Sequence, residues 1–327
     1  MRPTFPPRAR LLWLPAAILL SALATAQAQD GFPNRPIRVV LPYPPGGNTD
    51  LVARDVMREL AQRLGQPVVV DNKPGANSII GTDLVAKAAP DGYTLGVVIG
   101  GYAINQALHK KLPYAPQDLV PVSLMTRTGL VLAATPGVPR NFRDFVALGR
   151  KGEPPLGFAT SGTGGANHLL GERFARATGL RGALAVPYKG SADARSDLLS
   201  GRVHFTFDAT SVMTQYFKAG TLHAVAVTSH ARSPLVPDVP TIGELGHPEL
   251  VTYAWAGVVA PAGTPAGVVE RLSREIAAAL RNPSLREKLA AGGTEAIGST
   301  PAEFDAYLKE EVRVAFDIGQ RLGLSLE

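Results

Sequence analysis

The chain lacks cysteine altogether: none occurs among its 327 residues. This absence excludes a disulfide framework, a zinc site built on thiolates, a cysteine nucleophile and a lipid-modified amino-terminal cysteine. The folded protein therefore has to be stabilised by its hydrophobic core. A hydrophobic content of 45% over this length is enough for such a core and for its division into two lobes.

The sequence also lacks the patterns of several other protein classes. No basic run and no basic strip interleaved with aromatic residues accompanies the net charge of +6, so we discount nucleic-acid binding. Neither H-E-x-x-H nor a D-x-D-x-D-G loop is present. His168 and Glu172, four residues apart, could share a metal, but a helix-start histidine beside a solvated glutamate is the favoured interpretation. We predict neither metal nor cofactor.

The one long apolar run stands at the amino terminus. Leu11–Ala26 is uncharged, follows three arginines and precedes an A-x-A cleavage site that ends at Ala28. This arrangement predicts a secretory signal peptide over residues 1–28, cleaved after Ala28, and hence a periplasmic protein. A membrane anchor is the alternative, but a bilayer span needs about 20 apolar residues. The run has sixteen and is interrupted by Pro15.

Apolar strands alternate with amphipathic helices through the rest of the chain. The segment IRVVL, Ile37–Leu41, is a β-branched strand, and the next helix carries apolar residues four apart from Val52 to Leu64. This order is typical of βαβ units on a mostly parallel sheet. A second series starts near Val131 and the pattern returns late in the chain, which predicts two lobes joined by crossing strands.

The loop LPYPPGGNTD, Leu41–Asp50, connects the first strand to this helix. Its prolines stiffen the chain, whereas Gly46 and Gly47 accept positive φ and bring bare amides close to a ligand. Thr49 or Asp50 is predicted to cap the helix, whose first amides and dipole favour an anion. The loop lacks the lysine of a phosphate-binding loop, so a carboxylate fits it better. A glycine-rich turn without a ligand is the alternative.

A second loop of the same build lies in the other half of the chain. The strand LGFAT runs into SGTGGANH, Ser161–His168, and then into another helix. In α/β sheets, ligands lie outside the carboxyl ends of the strands, where both loops fall. We therefore predict that the two loops, one from each lobe, direct helix N-termini at one ligand across a cleft.

Two other functions are considered for the second loop. Gly162 and Gly164 resemble the start of a dinucleotide fingerprint, but no third glycine follows in register. Ser161 could be the nucleophile of an exported α/β hydrolase, yet its neighbours do not form G-x-S-x-G. A positioned histidine and acid would also be required. This hydrolase is the alternative function.

Two further residues are candidates for contact with the part of the ligand that lies away from the carboxylate bound by the two loops. Lys189, in VPYKGSAD, could pair with an anionic ligand or be a surface lysine at a turn. Asp208 ends the strand VHFTFD, where it could meet an amine of the ligand or cap the next helix. The sequence leaves both choices open.

Six segments together resemble one family. They are, in order, PIRVVLPYPPGGNTDLVAR, LGQPVVVDNKPGANSIIGTDLVAKAAPDGYTL, GTGGANHLLGERF, VPYKGSADARSDLLSGRVHFTFD, PDVPTIGEL and APAGTPAGVVERL. These segments are similar to the Bug-type (TctC-like) receptors, the extracytoplasmic substrate-binding proteins of tripartite tricarboxylate transporters. The likeness extends over nearly all of the chain after the predicted signal peptide.

The resemblance implies an α/β, two-lobed periplasmic-binding-protein fold of type II, with mixed, mostly parallel sheets and a ligand cleft between the lobes. It implies that residues 29–127 and 251–327 form lobe 1 and that residues 128–250 form lobe 2. Main-chain amides and bridging waters from two facing loops would then hold one ligand carboxylate. Carried onto this chain, the ligand-binding residues are Pro45, Gly46, Gly47, Asn48, Thr49, Asp50, Gly101, Tyr102, Ser161, Gly162, Thr163, Gly164, Asn167 and Asp208.

The sequence departs from the family pattern at three places. Asn48 stands where a third glycine is common, and Gly165 and Asn167 stand where hydroxyl side chains are usual. Gly100–Tyr102 replaces a segment often rich in serine and threonine, which is expected to line the cleft. The departures leave in place the two loops whose amides would hold one ligand carboxylate, which we call the carboxylate grip. They change the side chains expected to contact the distal end of the ligand, the end away from that carboxylate.

The preferred function is a periplasmic receptor, and not an enzyme, that binds a small mono- or dicarboxylate. It would deliver this ligand to the membrane subunits of a tripartite tricarboxylate transporter, and the resemblance implies that it works as a monomer. A ligand sensor that contacts a signalling protein is a further alternative, which the sequence does not separate from the first.

Overall fold

The computed structural model describes residues 31–162, 165–188 and 191–323. The predicted signal peptide lies outside these ranges, as do Thr163, Gly164 and Lys189. No helix in the described ranges combines the length and the apolar character that a membrane crossing requires.

Strands and helices alternate along the described chain. The strands are β1 (Ile37–Leu41), β2 (Val68–Asn72), β3 (Thr94–Ile99), β4 (Leu119–Ala134), β5 (Gly157–Thr160), β6 (Leu184–Pro187), β7 (Phe205–Ala209), β8 (His223–Val227), β9 (Tyr253–Pro261) and β10 (Thr294–Ala296). The helices are α1 (Asn48–Leu64), α2 (Ile79–Ala86), α3 (Gly100–Leu108), α4 (Phe142–Lys151), α5 (Ala166–Thr178), α6 (Ser191–Leu199), α7 (Thr210–Lys218), α8 (Ala266–Leu280), α9 (Pro283–Ala291) and α10 (Pro301–Leu322).

Local sequence explains several of the helix ends. Gly65 ends α1 in the left-handed conformation with φ 65°, which glycine adopts without steric cost. At the start of α10, Thr300 and Glu303 form a capping box around Pro301. These signals are readable in the sequence.

Three of the helices and the first half of β4 were not predicted. Helix α3 begins at two glycines and α7 follows β7 directly, so neither has a clear start signal. Helix α9 does have one, the N-cap Asn282 followed by Pro283, but it lies only two residues after the end of α8. The second series, predicted to start near Val131, begins with a strand that already starts at Leu119, because residues 119–129 pair with β9 along their length.

The strands form two groups that share β4. In the first group β2, β1 and β3 are parallel, and β9 and β4 continue the sheet in antiparallel orientation. In the second group β4 pairs with β7 and β8, while β5 is parallel to β7 and β6. The change of partner falls between Gly129 and Leu130. The two-lobed fold with crossing strands is confirmed, and we propose the division of the chain at 127/128, which this change supports.

Each group of strands has its own hydrophobic core. Val39, Leu41, Val56 and Leu60 are among the buried residues between β1 and α1 in lobe 1. The core of lobe 2 contains five stacked or edge-on phenylalanines, namely Phe145, Phe158, Phe174, Phe205 and Phe207. Burial of aromatic rings at these geometries stabilises lobe 2, whereas the core of lobe 1 between β1 and α1 is aliphatic.

The parallel strands decide where the helices begin. In lobe 1, helices α1, α2 and α3 follow β1, β2 and β3; in lobe 2, α5, α6 and α7 follow β5, β6 and β7. Parallel neighbours end at the same edge of a sheet, so the N-termini of three helices lie at one edge of each lobe. This edge is where a ligand is expected.

Replacing Gly257 in β9 by alanine tests the packing between this strand and α10. A Cβ on Gly257 would lie 2.1 Å from Cζ of Phe304, which is fully buried. We expect Gly257→Ala to lower the free energy of unfolding by about 1–3 kcal/mol, measured by urea denaturation. Gly137→Ala is the control, because the nearest atom lies 4.0 Å away. Equal stability of the two variants would contradict the tight packing.

Candidate ligand-binding site

The first loop presents main-chain amides at the start of α1. Gly46 has φ +81°, in the left-handed region, and Gly47 is the N-cap with φ −78°. Thr49 and Asp50 lie in the first turn, so the prediction that one of them caps the helix is wrong: the helix starts earlier, at Asn48. The amides of Gly47, Asn48 and Thr49 have no acceptor in the described residues.

Asp50 fixes the shape of this loop from inside. Its carboxylate accepts hydrogen bonds from the Gly46 amide (3.0 Å), from Arg54 Nε (3.0 Å) and from Asn72 Nδ2 (2.9 Å), and the residue is 3% exposed. Burial alone would raise the pKa of Asp50, but these hydrogen bonds outweigh it and hold the pKa below its ordinary value. Asp50 and the Gly46 amide therefore satisfy each other, and we assign Asp50 a supporting role rather than a ligand contact.

The second loop is likewise folded on itself at the start of α5. Gly162 has φ +128° and Gly165 is the N-cap of the helix. Asn167 Oδ1 accepts hydrogen bonds from the Ser161 amide (3.1 Å) and from Ser161 Oγ (2.9 Å). The described partner of the Ser161 hydroxyl is therefore an amide oxygen and not a histidine, which does not suit a nucleophile.

The two lobes approach each other at the starts of α3 and α5. A Cβ built on Gly100 would lie 3.5 Å from Cβ of Ala166, so the first residues of the two helices face each other across the cleft. A Cβ on Gly101 would lie 3.1 Å from Asn77 Oδ1 and 3.2 Å from the hydroxyl oxygen of Tyr43. The first loop, residue 77 and the start of α3 thus share one location in lobe 1.

Tyr102 is not part of this surface, contrary to the sequence-based expectation. It is 3% exposed, belongs to a hydrophobic cluster and stacks on Tyr114 with ring centroids 6.4 Å apart. Burial raises the pKa of its hydroxyl well above the ordinary value. Because residues 100–108 form a helix, consecutive residues point in different directions, and Gly100 rather than Tyr102 faces the opposite lobe.

A third segment beside the site was not predicted. Gly75, Ala76, Asn77 and Ser78 all have positive φ, at 140°, 46°, 47° and 78°. Non-glycine residues rarely adopt this conformation, and such strain is concentrated at functional sites. The turn signal Pro74-Gly75 after β2 is the feature of the sequence that marks this segment.

Asn105 of α3 holds the strained segment in place. The Asn77 side-chain amide donates to Asn105 Oδ1 (3.0 Å), and Asn105 Nδ2 donates to the Asn77 carbonyl (2.7 Å). Asn105 is completely buried, so water does not compete for these hydrogen bonds.

Asp208 lies at the carboxyl end of β7, on the cleft edge of lobe 2. Its Oδ1 accepts a hydrogen bond from the Ala209 amide (2.8 Å), and Ala209, not Asp208, is the N-cap of α7. The capping alternative is therefore wrong. Burial raises the pKa of Asp208, an effect that the Ala209 hydrogen bond and the charge of Arg195 partly offset. Contact with a ligand amine stays a prediction.

His168 and Glu172, the pair considered for a metal, lie close together in α5. His168 Nε2 lies 3.8 Å from Glu172 Oε1 within α5, and burial lowers the pKa of His168. Among the described residues, no third metal-ligating side chain joins them.

The geometry defines a class of protein: two α/β lobes, joined by crossing strands, with helix N-termini facing a cleft. The profile of the family described as "Tripartite tricarboxylate transporter family receptor" matches residues 52–324. The chain belongs to this family, whose members are periplasmic solute-binding proteins and not enzymes.

Relatives and solved structures agree with this assignment. The chain is 37% identical over 314 residues to protein BugT of Bordetella pertussis, covering 95% of this chain and 96% of BugT. The structure of the periplasmic binding protein BugD is similar with a TM-score of 0.79 and 34% identity, over 90% of this chain and all of BugD. The R. palustris protein Rpa4515 with adipate has a TM-score of 0.82 and 33% identity, over 90% of this chain and 99% of that protein.

Removing the Asp50 carboxylate tests its supporting role. We expect Asp50→Ala to lower the free energy of unfolding at neutral pH by about 2 kcal/mol, because the Gly46 amide and Arg54 lose a charged acceptor. The folded-state pKa of Asp50 is lowered, so its stabilisation is present above the unfolded pKa, about 3.9, and is lost as pH falls through the folded value. Urea denaturation at neutral and acid pH measures both effects.

Asp305→Ala is the matched control, since Asp305 forms only an exposed ion pair with Lys309. Its effect should stay within about 0.5 kcal/mol. Two results would contradict the role assigned to Asp50. Asp50→Ala could lower the free energy of unfolding by no more than Asp305→Ala does, or it could lower it by the same amount at neutral and at acid pH.

Proposed function

We propose that the protein binds a small organic mono- or dicarboxylate in the cleft between its lobes and delivers it to the membrane subunits of a tripartite tricarboxylate transporter. The observation that carries this proposal is the meeting of α3 and α5 at their first residues, Gly100 and Ala166, beside loops rich in uncharged main-chain donors.

The physical argument rests on the ends of helices. The first amides of a helix have no internal acceptors, and the helix dipole places partial positive charge at that end. The amides of Gly47, Asn48 and Thr49 have no acceptor within the described residues, and the loop from Leu41 to Asp50 contains no cationic side chain. A carboxylate, with one charge and two acceptor oxygens, matches such a site better than a phosphate does.

Of the residues carried over from the family, Gly47, Asn48 and Thr49 are the donors that we assign to the ligand in lobe 1. Gly162 and the start of α5 are the corresponding donors in lobe 2. The relative with bound adipate supports a carboxylic acid as the ligand class. Membership of the receptor family supports a transporter as the partner.

A thermal-shift screen of mono- and dicarboxylates tests the ligand class. A ligand present at a hundred times its dissociation constant should raise the free energy of unfolding by about 2.7 kcal/mol, because it binds only the folded protein. Sugars and amines of similar size serve as controls. The absence of stabilisation by every carboxylate in the screen would count against the proposal.

Gly47→Val tests the amide cradle directly. A Cβ on Gly47 meets only the Pro44 carbonyl, at 4.0 Å, and its φ of −78° is open to valine, so we expect the fold to be unaffected. The branched side chain should cover the amides and weaken carboxylate binding by at least about tenfold, measured by calorimetry. Unchanged affinity would mean that these amides do not contact the ligand.

A further inference from the structure

The cleft edge of lobe 2 contains a cation that the proposed carboxylate grip does not use. Arg195 lies in α6, which begins at the carboxyl end of β6, and Asp208 lies at the carboxyl end of β7. Phe205 and Phe207 of β7 face the aromatic core, so the intervening Asp208 faces the other side of the sheet. Helix α6 packs on that side through Ala194 and Leu198, and the charge of Arg195 reaches Asp208.

Arg195 forms no hydrogen bond and no ion pair with another described residue, although its charge acts on Asp208. Its Nε is enclosed and makes no hydrogen bond, and no ion pair or hydrogen bond involves its other nitrogens. Ser211 Oγ, in the first turn of α7 and three residues after Asp208, is also buried without a partner. Buried polar groups are nearly always hydrogen-bonded, so two unpartnered atoms, one on α6 and one at the start of α7, require an explanation.

Asp208 does not supply the missing partner. One of its oxygens accepts from the Ala209 amide, and no hydrogen bond joins it to Arg195. A nearby arginine shows the contrast, because Arg202 pairs with Asp197 at 2.8 Å and is largely exposed. The charge of Arg195 thus acts on a carboxylate while its donors form no hydrogen bond with the described residues.

We propose that Arg195 is a specificity-determining residue of this site, which makes the lobe 2 end of the cleft prefer a ligand carrying a second anionic group over one carrying an amine. The inference rests on the proposed function, because it concerns the other end of the same ligand. Asp208 by itself would attract a ligand amine, and the fixed cation of Arg195 reverses that preference. The planar guanidinium suits a carboxylate, to which it can donate two parallel hydrogen bonds.

The experiment compares three ligands of equal chain length that differ only at the distal end. Glutarate carries a second carboxylate, pentanoate ends in a methyl group and 5-aminopentanoate ends in an ammonium group. Four- and six-carbon analogues of each are included, so that chain length does not limit the result. Dissociation constants are measured by calorimetry near neutral pH for the mature protein and for Arg195→Gln.

For the unaltered protein we expect the dicarboxylate to bind most tightly and the amine most weakly. Arg195→Gln should weaken dicarboxylate binding by about 10- to 100-fold, the range of a lost charge-assisted hydrogen bond. Pentanoate affinity should stay within about threefold, and the amine should gain relative to both. Arg195→Lys keeps the charge but not the planar fork, so it should retain the order of the three ligands with a smaller spread.

Arg143→Gln is the matched control, since Arg143 is exposed on α4 of the same lobe and should change none of the affinities. Circular dichroism establishes whether the variants are folded. If Arg195→Gln does not fold, the comparison of the three ligands is made with Arg195→Lys instead.

Three outcomes would overturn the assignment. Arg195→Gln could leave the order and spread of the ligands unchanged, or weaken all three equally, which would indicate a general structural role. Arg195→Lys could lose the order altogether while remaining folded. By contrast, failure of every ligand to bind the unaltered protein would contradict the proposed function itself, and the assignment with it.

Discussion

The first amides of an α-helix have no acceptor within the helix, and this constraint shapes the whole cleft. Parallel strands deliver successive helices to the same edge of each sheet, so unsatisfied amides accumulate there instead of being scattered over the surface. Water or a ligand anion must satisfy them. A site built in this way can accept an anion without a cationic side chain in the loop from Leu41 to Asp50.

Rigid supports keep these amides in position. The Asp50 carboxylate ties the Gly46 amide to Arg54 and Asn72, and buried Asn105 holds the strained segment around Asn77. Both supports place polar side chains behind the loops rather than in the cleft. The donors are consequently fixed before a ligand arrives, which reduces the entropy lost on binding.

The same helices connect the site to the contact between the lobes. Ile104 and Leu108 of α3 form an apolar cluster with Leu169 of α5 and Ala315 of α10. Helix α5 thus begins at the cleft and continues into an apolar interface with lobe 1. This cluster stabilises the arrangement of the two lobes in which the starts of α3 and α5 meet.

The sequence by itself determined the alternation of strands and helices, the glycine loops and the family, because periodicity, turn residues and helix stops are local properties. The tertiary structure decided how the candidate site residues are surrounded. Tyr102 is in the core and Asp50 is occupied by the Gly46 amide, while Asn77, Asn105 and the neighbourhood of Asp208 and Arg195 depend on segments far apart in the chain. The orientation of a side chain follows from the element that carries it and from the neighbours that pack on it, and neither is written in the local sequence.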